Sequence, residues 1–289
     1  DAQTLESVRR TGGEAAPPAA QPAWERRLVP GARGAPDVPV YIINAGKAGD
    51  ARPAILHLHG GGYVVGTARS QVAYLQGVAR ELDCVIVTVE YRLAPETPFP
   101  GSLEDNYAAL GWLFRSAYEL GIDRARIAVL GESAGGGHAA MLAIAARDRG
   151  EFQLALQVLS YPMLDDRTGS ARTVPKHIGR FIWTAYSNRY AWSALLGQPA
   201  GSRRVPPGSV PARVTDLSRL PPAFIGVGSI DLFVQEDVDY ARRLLEAGVA
   251  VELQVVPGAY HAFDFIAADA PLSKRFRASQ IGALRRAFG

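Results

Sequence analysis

Ile127-Ala128-Val129-Leu130-Gly131-Glu132-Ser133-Ala134-Gly135 is the stretch whose reading decides the fold. Four apolar residues of strand character run into a serine with glycine two places before and two places after it, and an alanine-rich stretch of helical length follows at 134–147. A strand that becomes a helix over so few residues must bend sharply. The bend puts the serine in a strained backbone conformation with its hydroxyl exposed, and only side chains as small as glycine's avoid collision around it. The start of the helix also aims amides and partial positive charge at the same point. With 30 glycines in 289 residues, the spacing alone would arise by chance in about one chain in six of this composition. Its place between strand and helix therefore carries more weight than its letters. The bland alternative is a glycine-rich turn with an incidental serine, or a phosphate loop lacking its lysine.

Outward from this point, short β-branched runs recur at 38–43, 54–58, 85–89, 154–159, 223–227 and 251–256. Between most of them lie amphipathic stretches of helical length at 70–82, 103–120 and 236–247, with a last one at 273–287. Strands alternating with helices predict an α/β fold whose mainly parallel central sheet is covered by helices on both faces. Residues 163–220 break the rhythm: they have no strand signal and carry Phe181, Trp183, Tyr186, Tyr190 and Trp192 among scattered Pro and Gly. We read them as a helical insertion over the sheet, whose aromatics either pack its own small core or line a pocket. The organisation expected is an N-terminal arm at 1–23, rich in Ala, Pro and Gly; a catalytic domain at 24–162 and 221–289; and a cap insertion at 163–220. No internal repeat of solenoid period is present.

Composition narrows the function classes. The 31 basic and 28 acidic residues, net +3, are spread without a like-charge run or a Lys/Arg stripe, so nucleic acid is not an expected partner. The longest apolar runs are strand-sized, far short of the roughly 20 residues a membrane crossing needs. From Asp1 onward there is no basic-then-apolar leader, and a cytoplasmic location is expected. Cys84 is the single cysteine, which excludes an intrachain disulfide and a thiolate metal cluster. No ligand group with zinc spacing is present, so neither metal nor other cofactor is expected.

A second glycine motif, His59-Gly60-Gly61-Gly62, directly follows the run at 54–58. Consecutive glycines leave backbone amides unobstructed, able to point at a carbonyl oxygen that becomes an oxyanion during acyl transfer. The amide of Ala134, after the serine, points to the same place.

These motifs, with Tyr91-Arg92-Leu93-Ala94-Pro95-Glu96, Phe99-Pro100, Glu104-Asp105, Tyr161-Pro162-Met163-Leu164-Asp165-Asp166 and His261-Ala262-Phe263 in order, resemble the hormone-sensitive-lipase-like branch of the α/β-hydrolase fold. These are the bacterial esterases with an HGGG motif. The resemblance runs from about Trp24 to the C-terminus. It implies a serine carboxylesterase with a helical cap, whose oxyanion amides come from Gly61 and Gly62 while Gly60 shapes the turn. It further implies that His59 is structural and that residues 91–96 support the site. Short- to medium-chain acyl esters are the implied small-molecule substrates. The residues leave the oligomeric state open, and relatives often form homodimers through the sheet edge near their last strand.

In that fold the nucleophile, acid and base follow in the order Ser, Asp or Glu, His. Ser133 is the expected nucleophile. Among His57, His59, His138, His177 and His261, the first two precede it, His138 lies on its own helix, and His177 precedes the last strands. His261, after the strand at 251–256, is the expected base. Asp231, in the loop after the strand at 223–227, is the expected acid that orients it. Glu236 and Asp237 are rivals, more suited to the start of the next helix. The family's acid loop usually continues with Pro or Val; here it reads Asp231-Leu232-Phe233. An amidase or lactonase would use the same residues. A non-catalytic ligand receptor of this fold would lack the histidine.

Overall fold

A computed structural model describes residues 1–11 and 16–289; residues 12–15 of the expected arm lie outside the described residues. The chain runs α1 (Leu5–Thr11), β1 (Trp24–Val29), β2 (Val38–Ile43), β3 (Arg52–Leu58), α2 (Ala68–Leu82), β4 (Val85–Val89), α3 (Gly101–Arg115), β5 (Ile122–Glu132) and α4 (Ala134–Arg149). It continues through β6 (Leu156–Ser160), α5 (Ala185–Leu196), β7 (Ala223–Gly228), α6 (Val234–Glu246), β8 (Val251–Val256), α7 (Phe263–Ile266) and α8 (Pro271–Phe288). Among the described residues one 8-stranded sheet forms, in the order β1-β2-β4-β3-β5-β6-β7-β8. From β4 through β8 all neighbours are parallel, whereas β2 runs antiparallel to both β1 and β4. This is the α/β-hydrolase fold, a mainly parallel sheet with flanking helices.

Strand periodicity divides the core between the two faces. Leu56 and Leu58 on β3, and Val85, Val87 and Val89 on β4, belong to one buried cluster with Leu110 of α3, Leu142 of α4 and Leu244 of α6. The alternate residues Ile55 and Ile86 belong to the cluster on the other face, with Leu75 of α2 and Leu284 of α8. Because α4 is covered by the sheet below and by residues 163–220 and α3 around it, nearly its whole surface is buried, and its apolar composition has little amphipathic period.

Three elements differ from the sequence expectation. β1 carries Glu25, Arg26 and Arg27, which mask its alternation; it is an edge strand, and Arg27 pairs with Glu25 and Glu119. Charges of this kind protect a sheet edge from pairing with another chain. α3 stops at Arg115 rather than 120 because the chain must turn at Gly121, whose φ is +66°, to enter a longer β5. Within the arm, α1 is a short helix. Its Arg9 donates to the carbonyls of Val64 (2.8 Å) and Ala94 (3.0 Å) and pairs with Glu96 (2.7 Å). That places the first turns of the chain against the loop following the glycine run.

Residues 163–220 contribute helix only at α5 and in a 3-10 turn at Pro211–Arg213; the remainder is turns and loops, less helical than expected. Charged side chains fasten it. Asp165 pairs with Arg167 and Arg172 (2.8 and 3.3 Å), and fully buried Asp166 pairs with Arg213 (2.7 Å). Buried Glu236 on α6 accepts from the amides of Leu164 and Asp165 and from the Thr168 hydroxyl. Among the described residues, no helix is long and apolar enough to cross a membrane.

Candidate active site

Ser133 stands between β5 and α4 with φ +56° and ψ −121°, a backbone conformation that only glycine adopts without strain. The surrounding glycines show why the motif is written as it is. A Cβ on Gly131 would come within 2.2 Å of the Gly135 carbonyl oxygen, and one on Gly135 within 1.9 Å of the Leu58 carbonyl oxygen. The strained turn is held from outside: Ser133 donates its amide to Ser160 (2.9 Å), and its carbonyl accepts from Met163 (3.0 Å).

His261 and Asp231 reach the same point from two loops at the carboxyl ends of β8 and β7, and the loops are laced together. Ser229 and Ile230 donate their amides to the carbonyls of Val256 (2.9 Å) and Ala259 (3.1 Å). The result is a continuous chain. Ser133 Oγ lies 2.8 Å from His261 Nε2, and His261 Nδ1 lies 2.8 Å from Asp231 Oδ2. The other oxygen of Asp231 accepts the Phe233 amide at 3.0 Å. An aspartate on one ring nitrogen selects the tautomer whose other nitrogen faces the serine unprotonated.

Sequence reasoning did not single out the residues that box the imidazole. The rings of Tyr161 and Phe233 meet it edge-on, at centroid distances of 5.0 and 5.1 Å. Tyr161 lay within a motif that the family resemblance had already marked, and its hydroxyl donates to buried Asp264 (2.8 Å). Phe233 carries no comparable signal beyond its place two residues after Asp231.

The glycine run lies across from Ser133. Gly60, Gly61 and Gly62 line a cavity of about 220 Å³ together with Ser133, Tyr161, Trp183 and His261. Beneath it, the His59 ring stacks on Tyr91 at 4.2 Å, its Nδ1 bonds the Gly60 carbonyl (2.8 Å), and Tyr91 donates to the His59 carbonyl (2.6 Å). Burial drives the His59 pKa down to about 4 and that of His138, wedged against Tyr63 and Tyr91, to about 3. Both are neutral packing groups at ordinary pH. His57 is fully buried between Thr88 (2.8 Å) and Glu132 (3.0 Å), and His177 is exposed.

The rival acids are elsewhere engaged. Glu236 binds the start of segment 163–220 rather than the N-terminus of its own helix. Asp237 is fully buried with neither oxygen hydrogen-bonded among the described residues; burial, then the nearby Glu236 and Asp231, push its pKa well above the usual carboxyl range. Among the described residues no group of three or more His, Cys, Asp or Glu is placed to share a metal ion. Of the aromatics in 163–220, Trp183 reaches the cavity, Trp192 is buried against Tyr63, and Phe181 and Tyr186 face solvent.

Residues 55–265 match the model of a family described as alpha/beta hydrolase fold. The carboxylesterase NlhH of Mycobacterium tuberculosis is 34% identical over 271 residues, covering 91% of this chain and 82% of its own length. Among solved structures, a bacterial heroin esterase superposes with a TM-score of 0.92 at 37% identity, covering 100% of this chain and 93% of that one. The esterase LipW of Mycobacterium marinum superposes with a TM-score of 0.85 at 33% identity, covering 100% of this chain and 91% of its own.

Proposed function

Since this chain belongs to the hormone-sensitive-lipase-like carboxylesterases of the alpha/beta hydrolase fold, we propose that it hydrolyses short- to medium-chain acyl esters through an acyl-enzyme on Ser133. The observation that carries the mechanism is the unbroken chain from Ser133 Oγ through His261 to Asp231, with 2.8 Å at each link, on the wall of the cavity. His261 Nε2 takes the serine proton as Oγ attacks the ester carbonyl, and Asp231 stabilises the imidazolium that forms. The amides of Gly61, Gly62 and Ala134 receive the developing oxyanion; one such donor is worth on the order of 3 kcal/mol of transition-state stabilisation. His261 then protonates the departing alcohol, and water repeats the sequence on the acyl-enzyme.

The acyl-length assignment rests on the family resemblance and is supported by the cavity volume. About 220 Å³ is below the roughly 300–1,000 Å³ of cavities that hold drug-sized ligands. We assign residues 163–220, with the arm at 1–23, as the cap over a catalytic domain of residues 24–162 and 221–289. Trp183 of the segment lines the cavity, and the Tyr186 hydroxyl donates to the Asp1 carboxylate of the arm (3.0 Å).

The test is a series of 4-nitrophenyl esters of increasing acyl length beside an amide and a lactone, assayed with wild type and Ser133→Ala. Turnover should be highest on the shorter esters and be lost by about 10⁴-fold or more in the variant. Ester turnover by Ser133→Ala at the wild-type rate would sink the mechanism, and faster turnover of the amide or lactone would move the enzyme to that substrate class.

A further inference from the structure

Trp183 is placed by three independent constraints, all directed at the cavity. Its indole presses on the oxyanion loop so closely that a Cβ on Gly62 would lie 2.1 Å from Cη2 and 2.7 Å from Cζ2. Its backbone amide donates to the Phe181 carbonyl at 2.7 Å across Ile182, whose φ is +63°. A bond spanning three residues with positive φ at the centre is a γ-turn of the rare, strained kind. A β-branched residue is costly in that conformation, and Ile182, 56% exposed, lines the same cavity beside Trp183. The third constraint is the indole Nε1, which donates to Asn188 Oδ1 (3.1 Å); fully buried Asn188 donates in turn to the Thr168 carbonyl (2.9 Å).

The strain and the hydrogen bonds thus have one shared consequence: an indole edge held against Gly62, with its centroid 6.4 Å from that of the His261 ring. An aromatic filling the cap's own core would not need this. Trp192, from within the regular helix α5, packs into the main core against Tyr63 with no exposed surface. We propose that Trp183 is the size filter of this esterase: the wall that ends the space available to a substituent of the ester bound at Ser133, held shut by the γ-turn at Ile182 and by Asn188. The proposal rests on the ester-hydrolase reading of the same cavity.

Two substrate series separate the possibilities, one varying the acyl chain on a constant 4-nitrophenyl leaving group and one varying the alcohol on a constant acetyl group. Each is assayed with wild type, Trp183→Ala, Trp183→Phe and Ile182→Gly, and with Ser133→Ala as control. The readout is the ratio of kcat/KM for each longer ester to that for the shortest. On one series this ratio should rise by at least about tenfold in Trp183→Ala, and by less in Trp183→Phe. It should rise in Ile182→Gly as well, where glycine relaxes the turn that holds the indole and also removes a side chain from the cavity wall. The series that responds identifies the substituent lying against the indole. Should Trp183→Ala fail to fold by thermal unfolding, Trp183→Phe carries the same readout. Unchanged ratios on both series in the folded variants overturn the filter while leaving the esterase intact; retained ester turnover in Ser133→Ala overturns the reading beneath it instead.

Discussion

Around Ser133 the chain is held by its own backbone, whereas residues 163–220 are held by side chains, apolar ones buried in the core and charged ones in pairs. The elbow is fixed by clashes that tolerate only glycine at 131 and 135 and by amides donated between neighbouring loops. The segment above it has one sizeable helix, is braced internally by the pairs of Asp165 with Arg167 and of Asp166 with Arg213, and is tied to α6 by Glu236. Backbone constraints hold reacting atoms to tenths of an ångström, which acyl transfer requires. Ionic fastenings hold a covering segment while leaving the wall it presents open to change residue by residue. The difference locates chemistry in the first region and selectivity in the second.

The most severe way to separate the two is Asp231→Asn. It keeps an oxygen for the Phe233 amide but removes the carboxylate that sets the His261 tautomer, so kcat on a short ester should fall on the order of 10⁴-fold. Thermal unfolding should change little; a large drop in Tm would mean that Asp231 also serves as a fastener and would blur the distinction. Arg213→Ala should do the reverse. It strands the buried Asp166 carboxylate and should cost about 3 kcal/mol of unfolding free energy in denaturant, while Ser133 remains reactive toward a fluorophosphonate. Unchanged stability would show that the ion pair does not fasten the segment.

The smallest effect is expected between the two regions, at Asp237. Its pKa is raised in the folded chain by burial first. The unfolded chain gives up this proton near pH 4, while the folded chain retains it. Stability is therefore fully present below about pH 4 and declines as pH climbs toward the folded value. Asp237→Asn should flatten this decline between pH 5 and pH 8. Parallel stability profiles for variant and wild type would show that the carboxyl is ionised in place.

The strand and helix order, the parallel sheet and the sharp turn at Ser133 were legible in the sequence because short-range sterics set them. A strand alternates its faces every second residue, and the clash radius of a Cβ around a bend depends only on the bend. Candidate acids and bases could be ordered along the chain because each parallel strand delivers its following loop to the same sheet edge. Other features depend on distant partners. β1 is a strand because β2 is beside it, and its own residues Glu25, Arg26 and Arg27 argue otherwise. Nothing local distinguishes Trp183 from Phe181 or Trp192, yet one lines the cavity, one faces solvent and one is buried. That outcome is decided by a positive φ at Ile182 and by how α5 leans on Tyr63. Likewise Asp231 meets His261 while Asp237, six positions on, meets no donor among the described residues. The sequence alone determined which bend the backbone could make and in what order the candidate side chains follow. Tertiary structure decided what each side chain faces, because that depends on the angles and separations at which segments far apart in the chain pack together.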